Sequence, residues 1–138
     1  MIFENFYQNS MSKIVILDDS DDLLDILKYF LTERGYEVET ASSRNELISL
    51  IKSFSPDLMI VDIFLNDDDG REICKQLRKL EVSKYLCILI FSASPKAIGD
   101  YKEYGADGFI DKPFGLSEII EKIEATLDTC KEYSFQQQ

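Results

Sequence analysis

Asp57-Leu-Met-Ile-Val-Asp62-Ile-Phe-Leu-Asn66-Asp67-Asp68-Asp69-Gly70 is the stretch around which the rest of the chain is organised. Leu58 to Val61 is a short, wholly apolar run, the pattern of a strand buried on both faces. It ends abruptly on a carboxylate, Asp62. An ionised acid is expelled from a core, so Asp62 belongs at the carboxyl edge of the sheet, where open parallel α/β sheets form their ligand crevice.

The same grammar recurs on either side. Lys13 to Leu17 is a second apolar run that meets acids, Asp18 and Asp19, and Ser20 follows as an N-cap with Asp21 and Asp22 in the first helical turn. Leu23, Leu24, Leu27, Phe30 and Leu31 recur at helical spacing, and Gly35 stops that helix. Tyr36 to Thr40 reads as the second strand. Ser43 and Glu46 have capping-box spacing and open a helix that Pro56 closes. Beyond the acidic loop, Gly70 starts a helix carrying Ile73, Cys74, Leu77 and Leu80. Leu86 to Phe91 is the fourth strand and stops at Ser92. Ser94-Pro95 opens a sparse helix interrupted by Gly99, in which Tyr101 and Tyr104 are either partner contacts or one partly buried face. Phe109-Ile110 is a brief fifth strand before Lys112-Pro113-Phe114. A last helix from about Leu116 is expected to bury Leu116, Ile119, Ile120, Ile123 and Leu127.

Five strands alternating with five helices predict a flavodoxin-like (βα)5 fold: a doubly wound parallel sheet of order 2-1-3-4-5 with right-handed crossovers. Residues 12–131 form one domain, between an N-terminal extension (1–11) and a C-terminal tail (132–138).

Composition narrows the function. Among 138 residues, 26 acids and 15 bases give a net charge of −11, which disfavours direct contact with nucleic acid or an anionic membrane. Histidine is absent, which removes Ser-His-Asp and Cys-His catalysis and any His-ligated metal. Cys74, Cys87 and Cys130 are scattered and odd in number, and are read as small buried hydrophobes of a reducing compartment. With no membrane span and no basic leader, the expected location is the cytoplasm.

In the proposed order, the ends of strands one, three, four and five lie side by side, about 5 Å apart. Asp18, Asp19, Asp62, Ser92 and Lys112 therefore converge. Three carboxylates that close repel by about 3 kcal/mol per pair at an effective dielectric near 20, a conflict that a hard divalent cation resolves. Oxygen-only ligands point to Mg²⁺. A carboxylate nucleophile, a cation and an ammonium suit phosphoryl transfer to Asp62, with Ser92 placed to bond a phosphoryl oxygen.

At these residues the chain resembles the receiver domain of two-component response regulators, especially the single-domain chemotaxis-regulator kind. The shared elements are Asp18-Asp19, Asp62 with Gly70 eight residues on, Ser92-Ala93 and Lys112-Pro113-Phe114. The resemblance implies a phosphorelay protein whose Asp62 takes phosphate from a histidine kinase or histidine phosphotransfer protein. It further implies direct Mg²⁺ ligation by Asp19 and Asp62, with Asp18 acting through water and the Phe64 carbonyl as another ligand. Ser92 is the switch hydroxyl, Lys112 the phosphate-binding amine, and Phe109 the switching aromatic. Signalling would act on a downstream protein target, with homodimerisation on phosphorylation as one form of output. A second reading is a receiver fragment of a larger regulator or hybrid kinase. A remote third is a Mg²⁺-dependent phosphohydrolase; such enzymes usually need an acid two residues after the nucleophile, where this chain has Phe64. A receiver is not an enzyme in the ordinary sense, acting only on its own phosphorylation and dephosphorylation. Bulky Phe64 predicts a shielded, long-lived phosphoryl group. The loop Asp67-Asp68-Asp69 fails the EF-hand frame and reads as solvated.

Overall fold

The computed structural model describes residues 12–136, so the proposed extension 1–11 and the last two residues of the tail lie outside the described part. Five parallel strands form one sheet: β1 (Lys13–Leu17), β2 (Glu37–Ala41), β3 (Leu58–Asp62), β4 (Cys87–Ser92) and β5 (Gly108–Asp111), in the spatial order β2-β1-β3-β4-β5. Around it lie α1 (Asp21–Glu33), α2 (Arg44–Phe54), α3 (Gly70–Lys79), α4 (Pro95–Ile98) and α5 (Leu116–Gln136). This is the flavodoxin-like arrangement that the strand pattern predicts.

The strands are apolar throughout because both faces are covered. Val15, Leu17, Met59, Val61, Ile88 and Ile90 meet Leu47 and Ile51 of α2 and Ile73, Cys74 and Leu77 of α3. The alternate residues Ile14, Ile16, Leu58, Ile60, Leu89 and Phe91 meet Leu24, Leu27 and Leu31 of α1 and Ile119, Ile123 and Leu127 of α5. Successive side chains of a strand point to opposite faces, so a continuous apolar run fills two cores at once. Among the described residues, no helix is long and apolar enough to cross a membrane.

Local expectations are refined at several points. Leu116 is 42% exposed, because it stands in the first turn of α5 before the helix reaches the sheet. The α5 helix runs on to Gln136, through residues that composition assigns to the tail. The helix after Pro95 is two pieces: α4 ends at Gly99, at φ +49°, and a 3-10 turn covers Tyr101–Tyr104. Within that turn Tyr104 is buried and donates its hydroxyl hydrogen bond to the Ile98 carbonyl (2.8 Å), so its ring is core rather than a docking surface.

The acidic loop is structured. Phe64–Leu65 and Asp68–Asp69 pair as a short antiparallel hairpin. Arg44 of α2 donates through Nε to Asp68 Oδ2 (2.8 Å) and through its fork to Oδ1 and Gln76. Asp69 caps α3 by accepting from the Arg71 amide (2.8 Å) and holds the Arg71 guanidinium. The Arg44 and Arg71 guanidinium groups pull the Asp68 and Asp69 carboxyls, respectively, below the usual carboxylate range. Net charge along the loop suggests solvation, but two arginines from flanking helices pair with Asp68 and Asp69, and of the three acids Asp67 alone stays exposed.

The cysteines divide. Cys74 is a buried core residue whose thiol is pushed up to about 12 by burial, as expected. Cys87 and Cys130 instead form a disulfide between β4 and α5. Their 43-residue separation hides that the strand and the helix pack together.

Candidate phosphoacceptor site

The site is built from the carboxyl ends of β1, β3, β4 and β5. Strand pairing places Leu17 beside Val61, Asp62 beside Phe91, and Ser92 beside Asp111, so the residues that follow emerge at one edge. Asp18 leaves β1 with only 3% exposure. Its Oδ1 accepts from the Ser20 amide at 2.7 Å, while the Ser20 hydroxyl accepts from the Leu23 amide and caps α1. The cap of α1 therefore also aims Asp18.

Lys112 organises the acids. Its Nζ donates to Asp18 Oδ2 and to Asp62 Oδ2, both at 3.0 Å, and lies 4.4 Å from the centroid of the Phe91 ring. Its backbone amide donates to the Ser92 carbonyl at 2.9 Å, which ties the end of β5 to that of β4. The other carboxylate oxygen of Asp62 accepts from the Phe64 amide at 3.2 Å. Burial lowers the Lys112 pKa, but the bonds to Asp62 and Asp18 outweigh it and the net direction is up. The Asp62 carboxyl is also raised: burial disfavours its anion and Asp18 repels it, and the Lys112 ammonium offsets these only in part.

Asp19, the residue after Asp18, is half-buried beside this cluster. Its pKa is raised by burial and then by the Asp18 charge, with Asp67 adding to the rise. One ammonium thus serves three clustered acids. The donor set is all oxygen, and that residual negative charge fits a hard divalent cation. Among the described residues, the only trio of metal-capable side-chain atoms all within 4.8 Å is Cys87, Asp107 and Cys130, so Asp18, Asp19 and Asp62 are more widely spaced than a closed three-carboxylate cage.

Ser92 is fully buried at the end of β4, and its hydroxyl accepts from the Ser94 amide at 3.2 Å. Phe64 is 56% exposed beside Asp62. Phe109 stands apart from the acids: its ring is 5.2 Å from that of Tyr101, and Lys122 Nζ lies 5.1 Å from its centroid.

Two supporting residues have contacts that the sequence pattern does not show. A Cβ on Gly70 would be driven into the Asp62 carbonyl oxygen and lie 3.0 Å from Ile63 Cα. The start of α3 therefore rests directly on the backbone of Asp62, an approach open only to glycine. Arg78 donates to the carbonyls of Gly105 (2.9 Å through Nε) and Leu86, and to Asp107 Oδ2 (2.9 Å), which also accepts from the Ile88 amide. It thereby fastens α3 to the loops that enter β4 and β5. Arginine in the last turn of a helix looks like routine surface charge until these loops are seen beneath it.

The response regulator receiver domain family matches residues 14–124 of this chain. Among solved structures, the chain is similar to the chemotaxis response regulator CheY4 of Vibrio cholerae at 28% identity and a TM-score of 0.77, covering 84% of this chain and 98% of that one. A CheY-like receiver domain protein of Methanospirillum hungatei is 30% identical with a TM-score of 0.80, over 89% of this chain and 98% of that one. NtrX of Brucella abortus, solved with ADP, is 26% identical with a TM-score of 0.83, over 92% of this chain but 30% of that one.

Proposed function

The chain belongs to the response regulator receiver family, and from that membership we propose that Asp62 accepts a phosphoryl group from a phosphohistidine of a partner protein. The observation that carries this reading is the Lys112 ammonium held 3.0 Å from both Asp18 and Asp62 at the sheet's carboxyl edge. The free lone pair of an Asp62 carboxylate oxygen attacks phosphorus. The P–N bond to the donor imidazole breaks, and its electron pair returns to the ring nitrogen. Two anionic reactants must approach, and Lys112 offsets that repulsion while staying anchored on Asp18. The Phe64 amide fixes the carboxylate plane. Asp19 and Asp62 would hold Mg²⁺ directly, with Asp18 through water and the Phe64 carbonyl as a further ligand. When bound there, the ion would supply positive charge to offset the negative charge of the transferring phosphoryl group.

The donor is a histidine kinase or histidine phosphotransfer protein. Ser92 reports the phosphoryl group: its hydroxyl exchanges the Ser94 amide for a phosphoryl oxygen. That movement biases the packing of Phe109 against Tyr101, and so the surface of α4, β5 and α5 offered to a downstream protein or a second copy. A second reading, the receiver unit of a longer regulator, is favoured by the likeness to NtrX, of which this chain covers 30%. The test is incubation with acetyl phosphate. One phosphoryl group per chain by intact mass with Mg²⁺, and none after chelation, is expected. No label with Mg²⁺ present, or steady turnover of an added phosphate ester, overturns the proposal.

Phe64 governs the lifetime of the acyl phosphate. An asparagine there orients water where the apolar ring excludes it, so Phe64→Asn is expected to dephosphorylate several-fold faster, on the order of 1 kcal/mol in barrier. Loss of label measured after donor removal checks this, and an equal or slower rate refutes the shielding role.

A further inference from the structure

The disulfide between Cys87, the first residue of β4, and Cys130 of α5 lies at the amino edge of the sheet, opposite the acids, and phosphoryl transfer uses neither sulfur. Its two ends differ in access. Cys87 is buried in the core beneath α1 and α5. Cys130 is half-buried and lines a cleft of about 500 Å³, shared with Arg78, Lys84, Lys102 and Asp107. Arg78 is paired with Asp107 and Lys84 with Glu81, which leaves Lys102 as the cation of the lining without an ion pair among the described residues. Such a cleft favours the thiolate form of an incoming thiol, and the thiolate is the form that attacks disulfides.

The reduced state has a bonding partner in place. The Thr126 carbonyl lies 3.4 Å from Cys87 Sγ, where it accepts a hydrogen bond from a thiol; a disulfide sulfur has no proton to give. Breaking the bond also changes what holds α5. The helix is seated on the sheet at Thr126, so close that a Cβ on Gly108 of β5 would come 2.7 Å from Thr126 Oγ1. Leu127 is the last buried residue of α5 among those described, and Asp128, Thr129 and Lys131 are exposed. Between Leu127 and Lys131 the disulfide is therefore the principal tether of the helix to β4.

We infer that Cys87–Cys130 is a thiol–disulfide exchange site for a dithiol reductant, and that its redox state pins or frees the last turns of α5. One thiolate of the reductant enters the cleft and bonds to Cys130 Sγ. The protein S–S bond breaks, and its electron pair leaves on Cys87 Sγ, which takes a proton and turns to the Thr126 carbonyl. The second thiolate of the reductant then attacks the reductant's own sulfur in the mixed disulfide and releases Cys130. Two electrons pass to the protein, which ends with two thiols while the reductant ends as a disulfide. This chemistry stands independently of Asp62.

The test uses the full chain, folded, in graded mixtures of reduced and oxidised dithiothreitol, followed by acid quench, alkylation and peptide mass mapping. Cys87 and Cys130 are expected to gain label together in one two-electron transition, with Cys74 unlabelled until denaturant is added. Hydrogen exchange of residues 128–136 is expected to quicken about tenfold on reduction, with β3 unchanged. A Cys130→Ser chain should show the fast exchange with or without reductant. The inference is overturned if the pair resists reduction until the protein unfolds, or if exchange at 128–136 is the same in both states. It is equally overturned if the chain isolated without reductant holds a zinc ion on Cys87, Cys130 and Asp107, side chains that lie within 4.8 Å of one another, in place of the bond.

Discussion

An Asp62→Asn chain, incubated with acetyl phosphate and Mg²⁺, is expected to take up phosphoryl label at least about a hundredfold more slowly than the parent, a rise of about 3 kcal/mol in barrier. The amide matches the carboxylate in shape, and its oxygen still accepts from the Phe64 amide, which now lies 3.2 Å from Asp62 Oδ1. What it lacks is an anionic oxygen to attack phosphorus. The same change is not expected to cost stability: the amide nitrogen in the place of Oδ2 cannot accept from Lys112, but Lys112 keeps Asp18 as its partner. Burial and then Asp18 raise the Asp62 pKa against the opposing pull of Lys112, so in the folded state the anion is disfavoured relative to the unfolded chain. A raised acid stabilises the fold fully only below its unfolded pKa, and that contribution is lost as pH rises through the folded value. At neutral pH the charge is a liability, and the neutral amide is expected to leave the melting temperature unchanged or higher. Intact mass and thermal denaturation on the same sample separate the two outcomes. Labelling at the parent rate refutes Asp62 as the acceptor, and a lower melting temperature refutes the electrostatic account.

Gly70→Ala is the second large effect, and its sign runs against helix propensity. Gly70 is the first residue of α3, its amide donates to the Ile63 carbonyl at 2.8 Å, and its φ is not in the left-handed region. By propensity alone, alanine in a helix gains up to about 1 kcal/mol over glycine. Here the new methyl meets the carbonyl group of Asp62, with its carbon 2.9 Å away, and neither the strand nor the helix backbone can swing aside as a side chain would. Overpacking against backbone outweighs the propensity term, and a net loss of about 2–4 kcal/mol is expected in denaturant unfolding. Relief of the clash must also move Asp62, so labelling by acetyl phosphate falls even at temperatures where the variant stays folded. Stability equal to or above the parent's would show that α3 does not bear on the strand as described.

These two positions mark where the sequence was legible and where it was not. Asp62 could be read from order alone, because a buried apolar run that stops at an acid must stop at an edge. Asp18, Ser92 and Lys112 follow the same rule at their own strand ends. Gly70 could be read as a helix start, but not as the point where the helix touches the backbone of Asp62. The loop Asp67-Asp68-Asp69 illustrates the converse error: judged by charge it is solvated, yet Arg44 and Arg71 take up two of its three acids. Arg78 was unreadable for the same reason, since its carbonyl partners lie on loops that only the folded sheet brings beneath it.

The alternation of strand and helix, the parallel sheet with two buried faces, and the gathering of acids, hydroxyl and amine at one edge are all legible in residue order. Period and polarity are local properties, and an apolar run ending in charge says where it ends whatever lies beside it. Only the tertiary structure decided that Lys112 bridges Asp18 across 94 residues, that Gly70 abuts Asp62, and that Cys87 is bonded to Cys130. Those contacts depend on how closely separate elements approach, a distance set by side-chain packing between layers that no local pattern along the chain records.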